Sequence, residues 1–371
     1  MLILKTNELN NNIKKTMKQR VLSSVFIVSF FIILFLLGWL ADNVNGWSPL
    51  PEIGREICAW LLLIYLLPTI IICAHEINNV FFKFNWFTKS IIILEMLLLV
   101  YGPTMVYFLK YYHDITSIEI TENISQINTV TNVFSIILAI SILVAIISNT
   151  VILIVNKINT FKNWVILNLL VGVISGFYLG SLFFLLVRGW LTLIWLMLIV
   201  IGSDSFSYFG GVLFGKHQMA KNISPKKTWE GFGIGQVITI VAALLILFGF
   251  SFIQHNPNVL KQIMGVQFDV IVNGKPHEGL TVSDSKTWWA WMAIITILLS
   301  LLSVFGDLAY SWFKRKYRIK DYGNLIPGHG GIIDRIDSHS VVISFYFVLN
   351  FFIALFANTV VFFEPIQKVL A

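Results

Sequence analysis

The chain has 371 residues, of which 57% are hydrophobic and only 12% charged, with a formal net charge of +7 and a mean hydropathy of +0.81. This balance excludes an ordinary water-soluble globular domain. Continuous apolar runs also exclude a transmembrane β-barrel, whose strands alternate over about ten residues.

A bilayer core about 30 Å thick takes roughly 20 residues per helical span. On that measure the apolar runs predict an all-α integral membrane protein of about nine transmembrane helices. Residues 1–20 are polar and basic, and the first run, 21–41, is too long for a signal-peptide core and lacks a small-residue cleavage site. It reads as a retained span. The second span, 57–74, holds Cys58 and Cys73, the only two cysteines. They lie too far apart along one helix to bridge, so neither a disulfide framework nor a thiolate metal site is offered.

The third span, 90–109, carries Glu95, to which a structural or snorkelling role is assigned. After the fourth, at 133–155, the fifth, 164–187, places Gly172, Gly176 and Gly180 at every fourth position. That spacing allows close helix packing, either within the chain or between protomers. At Arg188 and Gly189 the apolar stretch divides, and the sixth span follows at 191–213. The remaining spans are 232–254, 288–312 and 339–363. The chain thus divides into an N-terminal transmembrane region, 1–160, of about four helices, and a C-terminal region, 161–371, that carries the chemistry. The latter has polar loops at 214–231 and 313–338 and an insertion at 255–287. Within the insertion Val266–Val272 and Glu278–Val282 are β-prone runs flanking Asn273-Gly274, which predicts a small β-hairpin.

Orientation follows from the positive-inside rule. With the N-terminus cytoplasmic, most of the 26 basic residues fall inside, among them Lys14, Lys15, Lys18, Lys226, Lys227, Lys314, Arg315 and Arg335. The 255–287 insertion is then extracytoplasmic. The pI near 9.3 is accounted for by this topology and by anionic lipid at the cytoplasmic surface, so it implies no nucleic-acid partner.

Two polar regions adjoin the cytoplasmic ends of spans. The first contains Asp204, Tyr208, Gly210, Gly211, Gly215, Lys216 and His217, then Ser224-Pro225-Lys226-Lys227-Thr228-Trp229-Glu230-Gly231. The second runs from Gly306-Asp307 through Ser311, Lys314, Arg315, Lys320 and Asp321 to His329-Gly330-Gly331 and Asp334-Arg335-Ile336-Asp337. On a helix, Asp307, Ser311, Lys314 and Arg315 form one stripe. Asp334 and Asp337 lie a turn apart at the start of the last span. Clustered carboxylates beside several cations suit a hard divalent metal with phosphate; the plainer alternative is that these charges simply pair with one another. Asp307, at a span end where a charge costs roughly 3 kcal/mol, favours the functional reading. Ser224-Pro225-Lys226-Lys227 reads as a helix start with Ser as cap, presenting free N–H groups to an anion. Gly330-Gly331 permits close backbone approach, to a ligand or within a turn. Asp204, with Tyr208 one turn away, reads either as a substrate or ion contact or as a structural hydrogen bond.

The run Ser311-Trp312-Phe313-Lys314-Arg315, Lys320-Asp321, and Ile326-Pro327-Gly328-His329-Gly330-Gly331-Ile332-Ile333-Asp334-Arg335-Ile336-Asp337 resembles the signature of the phosphatidate cytidylyltransferases, or CDP-diacylglycerol synthases. The block with Asp204, Tyr208, Gly215-Lys216 and residues 224–231 is similar to that family's other fixed block. The resemblance covers about 200–340. Ser207 departs from an expected Ala, the 255–287 insertion is longer than usual, and the N-terminal half resembles nothing specific.

This resemblance implies an all-helical membrane homodimer that joins CTP to phosphatidic acid in the bilayer. It also implies a metal centre at Asp307 and Asp334 holding Mg²⁺, with K⁺ as a candidate second cation. Expected to act in catalysis are Asp307, Asp334, Lys314, Arg315, Asp337 and Arg335. Asp204, Tyr208, Ser224, Lys226, Lys227, Thr228, Ser311, Lys320, Asp321, His329, Gly330 and Gly331 are expected to bind substrate. The expected location is the cell membrane, multi-pass, with the site facing the cytoplasm. No nucleophilic side chain is required, and no Ser-His-Asp or Cys-His constellation suggests itself. The alternatives are a CTP-dependent enzyme acting on another lipid phosphate or a polyprenol, and a transporter. A transporter should carry inverted repeats and midplane polar sites, whereas no repeat is evident and most candidate groups lie at one surface.

Overall fold

The computed structural model describes residues 24–25, 27–41, 48–82, 85–113, 124–158, 160–253, 271–272, 275–276, 285–326 and 330–356. Its helices are α1 (Ile27–Leu40), α2 (Glu52–Phe82), α3 (Trp86–His113), α4 (Ile124–Val155), α5 (Phe161–Phe183), α6 (Trp190–Phe214), α7 (Trp229–Ile253), α8 (Ser285–Lys316) and α9 (Ile333–Phe356). Among the described residues seven helices, α2 to α8, contain a stretch long and apolar enough to cross a membrane. The chain is a multi-pass helical membrane protein. α1 is shorter, and α9 opens with Asp334, Arg335 and Asp337.

The expected division at Arg188 is present. A π-helical turn, Phe184–Arg188, follows α5, and Gly189 at φ 104 breaks the helix before α6 begins at Trp190. Only glycine adopts that φ without strain.

α5 is the central helix: 78% of its apolar stretch is buried inside the protein, against 28% for α4. It packs on α9, and the two carry the core between an α2–α3–α4 group and an α6–α7–α8 group. A Cβ on Gly176 would stand 2.8 Å from Ser344 Oγ and one on Gly180 3.0 Å from Phe347 Cβ, while Gly172 faces open space. Two of the three small residues therefore serve an internal contact. Trp195, Phe184 and Tyr346 pack there with ring centroids 5.4–5.9 Å apart.

Because lipid is as apolar as Leu, helices gain little from apolar burial alone, and interhelical hydrogen bonds add about 0.6 kcal/mol each. Such bonds join α6 to α7 through Gln236 Nε2, which donates to Ser203 Oγ at 2.9 Å. Ser300 on α8 donates to the same amide's oxygen. Glu95 is 2% exposed and accepts from Ser148 on α4. Its role is structural; it does not snorkel.

Two small sheets interrupt the helices. β1 (Gln218–Ala220) and β2 (Ser224–Thr228) form an antiparallel hairpin between α6 and α7. The expected helix start at Ser224-Pro225 is therefore corrected: Ser224 pairs with Ala220 and Gln218 with Thr228. The helix begins only at Trp229, where Thr228 Oγ1 accepts the Gly231 N–H at 3.2 Å and so acts as the cap. β3 (Ile271–Val272) pairs with β4 (Lys275–Pro276) across Asn273-Gly274. That agrees with the expected hairpin, although most of 255–287 lies outside the described residues.

Candidate active site

Sequential spans run antiparallel, so the ends of α6 and α8 and the starts of α7 and α9 meet at one end of the bundle. The two polar regions are brought together there. Strand alternation puts Lys226 and Lys227 on opposite faces of β2. Lys226 is exposed, while Lys227 turns inward, and its Nζ lies 2.6 Å from Asp307 Oδ2. The other Asp307 oxygen accepts from Ser311 Oγ, one turn along α8, at 3.4 Å. The stripe continues with Lys314, whose Nζ donates to Asp334 Oδ1 at 2.9 Å, and with Arg315, whose Nε donates to the Ile223 carbonyl at 3.4 Å. Asp204 on α6 and Asp337 on α9 belong to the same cluster: Asp204 interacts electrostatically with Lys227 and Asp307, and Asp337 with Asp307, Lys314 and Asp204. Four carboxylates from three helices, Asp334 among them, thus share two lysines.

Asp334 is 6% exposed and accepts on both oxygens. Besides Lys314 it accepts the Tyr322 N–H at 2.8 Å and the Gly331 N–H at 3.0 Å on Oδ2. It thereby clips the loop between α8 and α9 onto the end of α8. A carboxylate near the N-terminus of α9 also suits that helix's dipole. Gly330 sits at φ +87, and a Cβ there would come within 2.9 Å of Asp334 Oδ2 and 3.3 Å of Asp321 Cβ. Tyr322 is buried beneath, and burial pushes its phenol well up, so it stays a donor, directed at the Tyr310 carbonyl 3.4 Å away.

Other expected site residues are exposed or half-buried. Tyr208, Lys320, Asp321 and Arg335 are exposed, Ser224 and Thr228 are half-buried in the hairpin, and His329 lies outside the described residues. Two features were not singled out from sequence. Glu230 closes the hairpin's base: Oε2 accepts the Lys216 and His217 N–H groups at 3.0 and 3.1 Å, and Oε1 lies 2.6 Å from His217 Nδ1. Glu76 on α2 reaches the loop from the N-terminal half, its two oxygens accepting the Ile332 and Ile333 N–H groups at 2.9 Å each. Glu230 follows the turn-rich block and is legible as a helix-start acid; Glu76 has no motif around it.

Among the described residues no three His, Cys, Asp or Glu side chains close into a chelating group. Mg²⁺ does not need one, because it is held by one or two carboxylates together with water and substrate phosphates. Asp307 fits that use, being a partly exposed carboxylate with a single lysine on one oxygen. Asp334 has Oδ1 to offer, beside or in place of Lys314, since Oδ2 already accepts two backbone N–H groups.

The profile of the Cytidylyltransferase family matches residues 53–353. The chain is 32% identical over 200 residues to a putative phosphatidate cytidylyltransferase of Mycoplasma pneumoniae, covering 50% of each chain. It is 34% identical over 167 residues to a phosphatidate cytidylyltransferase of Haemophilus influenzae, covering 45% of this chain and 48% of the relative. To phosphatidate cytidylyltransferase 1 of Arabidopsis thaliana it is 35% identical over 164 residues, with 40% and 38% covered. The matches span about half the length of the first of these relatives.

Proposed function

The chain belongs to the cytidylyltransferase family, and from that premise we propose that it transfers the cytidylyl group of CTP to phosphatidic acid, giving CDP-diacylglycerol and pyrophosphate. The observation that carries the reading is the Lys227–Asp307 pair, which joins both polar blocks in one site at one end of the bundle. A lipid phosphate at the membrane surface and a soluble nucleotide can both reach such a position. The names of the relatives point to the same substrate.

Both substrates are anions, so the work is charge neutralisation and positioning. A non-bridging oxygen of the lipid phosphate forms a bond to the α-phosphorus of CTP. The bond from that phosphorus to the bridging oxygen breaks, and pyrophosphate leaves with the electron pair. The attacking oxygen is already anionic, so no side-chain nucleophile or proton acceptor is needed. Lys227 and Lys314, each now paired with an aspartate, turn to the phosphate oxygens and stabilise the charge that builds between the reacting groups. Arg315 holds the hairpin, and Lys226, Arg335 and Lys320 draw the anions in from the rim. Mg²⁺, held by Asp307 with Asp334 Oδ1 as its second candidate, would supply Lewis-acid stabilisation of the phosphates. The inside bias of basic residues supports a site facing the cytoplasm of the cell membrane, in the homodimer that the family resemblance implies.

The test is to incubate purified protein in mixed micelles with phosphatidic acid and CTP labelled at the α- or γ-phosphorus. Transfer of the α-label to lipid, with pyrophosphate release, is the expected result. Transfer of the γ-label instead would replace the proposal with a CTP-dependent lipid kinase.

A further inference from the structure

Glu76 is a carboxylate in the C-terminal half of a membrane-spanning helix, and it is 3% exposed. An ionisable group in such a place is expensive and calls for a reason. Both oxygens are acceptors for backbone amides, Oε1 from Ile332 and Oε2 from Ile333. This bidentate acceptance suits the ionised form. The two amides belong to the entry into α9, where the first N–H groups of a helix have no partner within it. Glu76 therefore caps α9 from a residue 256 and 257 positions away in sequence.

The loop is shaped to receive it. A Cβ on Gly323 would come 2.5 Å from Glu76 Oε1, and one on Gly331 would collide with both oxygens. The loop amides are divided between two carboxylates: Asp334 takes Tyr322 and Gly331, and Glu76 takes Ile332 and Ile333. Asp334 ties the loop to α8 and α9, which carry the reacting groups. Glu76 alone of the two ties it to α2.

We infer that Glu76 is a positioning residue of the transferase site: through the Ile332 and Ile333 amides it sets the start of α9, and with it the placement of Asp334 and Asp337 against Lys314 and Asp307. The inference rests on the proposed transferase function. It gives the N-terminal region a part in the chemistry without contact with the substrates.

The experiment compares Glu76→Gln with wild type and with Glu95→Gln, a second buried carboxyl remote from the loop. Steady-state kinetics are measured with CTP and phosphatidic acid, and amide hydrogen exchange is followed across 320–337 in the substrate-free protein. For Glu76→Gln we expect kcat to fall about 10- to 100-fold with KM for CTP within about threefold, the range for small displacements of reacting groups. Exchange should quicken at Ile332 and Ile333 while α2 stays protected, and Glu95→Gln should do neither. Gly323→Ala presses on the same carboxylate from the loop side and carries the test if Glu76→Gln fails to fold. The double variant should lose little more than the worse single one, because both act through one contact. Kinetics within about twofold of wild type for Glu76→Gln or Gly323→Ala, or an equal loss in Glu95→Gln, would overturn the inference. Absence of turnover in the wild type would instead refute the transferase reading, leaving the exchange measurement to decide whether Glu76 holds the loop.

Discussion

Lys226 and Lys227 are adjacent in sequence and opposite in role, which makes the pair a sharp probe of the site. Lys227 Nζ lies 2.6 Å from Asp307 Oδ2, with the two side chains 23% and 26% exposed. At an effective dielectric near 20, a unit charge about 4 Å from a phosphate oxygen contributes about 4 kcal/mol. Halving this for screening at a partly exposed site leaves about 2 kcal/mol, or about 30-fold in kcat/KM. Lys227→Ala also leaves Asp204, Asp307 and Asp337 with Lys314 as the lysine remaining in their cluster, so the loss should not fall below that figure. Lys226→Ala, on the exposed face of the strand, should stay within about threefold. The assay is pyrophosphate release at varied CTP and phosphatidic acid in mixed micelles, with folding checked by thermal melting in detergent. Equal losses in the two variants, or a Lys227→Ala rate within about threefold of wild type, would remove Lys227 from the reacting centre and return the Asp307 pair to a structural contact.

Asp307→Asn should reduce turnover below about a tenth of wild type at saturating Mg²⁺ while leaving the melting temperature in place, since it removes charge without opening a cavity. Chelating divalent cations from the wild type should abolish turnover reversibly, and activity that persists through chelation would refute the metal assignment. Replacing 255–287 by a short Gly/Ser linker should leave turnover intact in protein that reaches the membrane; loss of activity there would show that the insertion belongs to the site. Gly180→Leu, which meets Phe347 and Ile343, should destabilise the folded protein by about 1–3 kcal/mol. Gly172→Leu, facing open space, should not, and the two are separated by their melting temperatures in one detergent.

Element positions were legible because bilayer-crossing helices must be long and apolar, and a glycine beside a lone Arg marks a break. The expected division at Arg188-Gly189 appears as a π-helical turn with Gly189 at φ 104. The misjudged element was Ser224-Pro225, whose residues satisfy the local rule for a helix start. Cross-strand pairing with Gln218–Ala220 overrides the local preference, and Glu230 fastens the hairpin base. Pro225 is tolerated because a two-stranded ribbon has only edges. At the site, the stripe Asp307, Ser311, Lys314 followed from helical spacing, whereas its joining to Lys227 did not, since spacing says nothing about which loops fold over which helix. Gly330-Gly331 was legible as a demand for close approach, and the groups that approach are Asp334 and Glu76. Glu76 itself was hidden because its partners lie on the far side of the sequence.

The two lysine–aspartate pairs make ligand binding an exchange. On the proposed mechanism, a phosphate oxygen at Lys227 would share the ammonium that Asp307 now holds, weakening that pair and leaving the carboxylate freer for a cation. A cation at Asp307 would likewise weaken the pair and leave Lys227 freer for the anion. Reciprocity of coupled binding then requires that each raise the other's affinity by the same factor. Nucleotide and divalent cation should enter this site as mutually reinforcing ligands, each held weakly without the other.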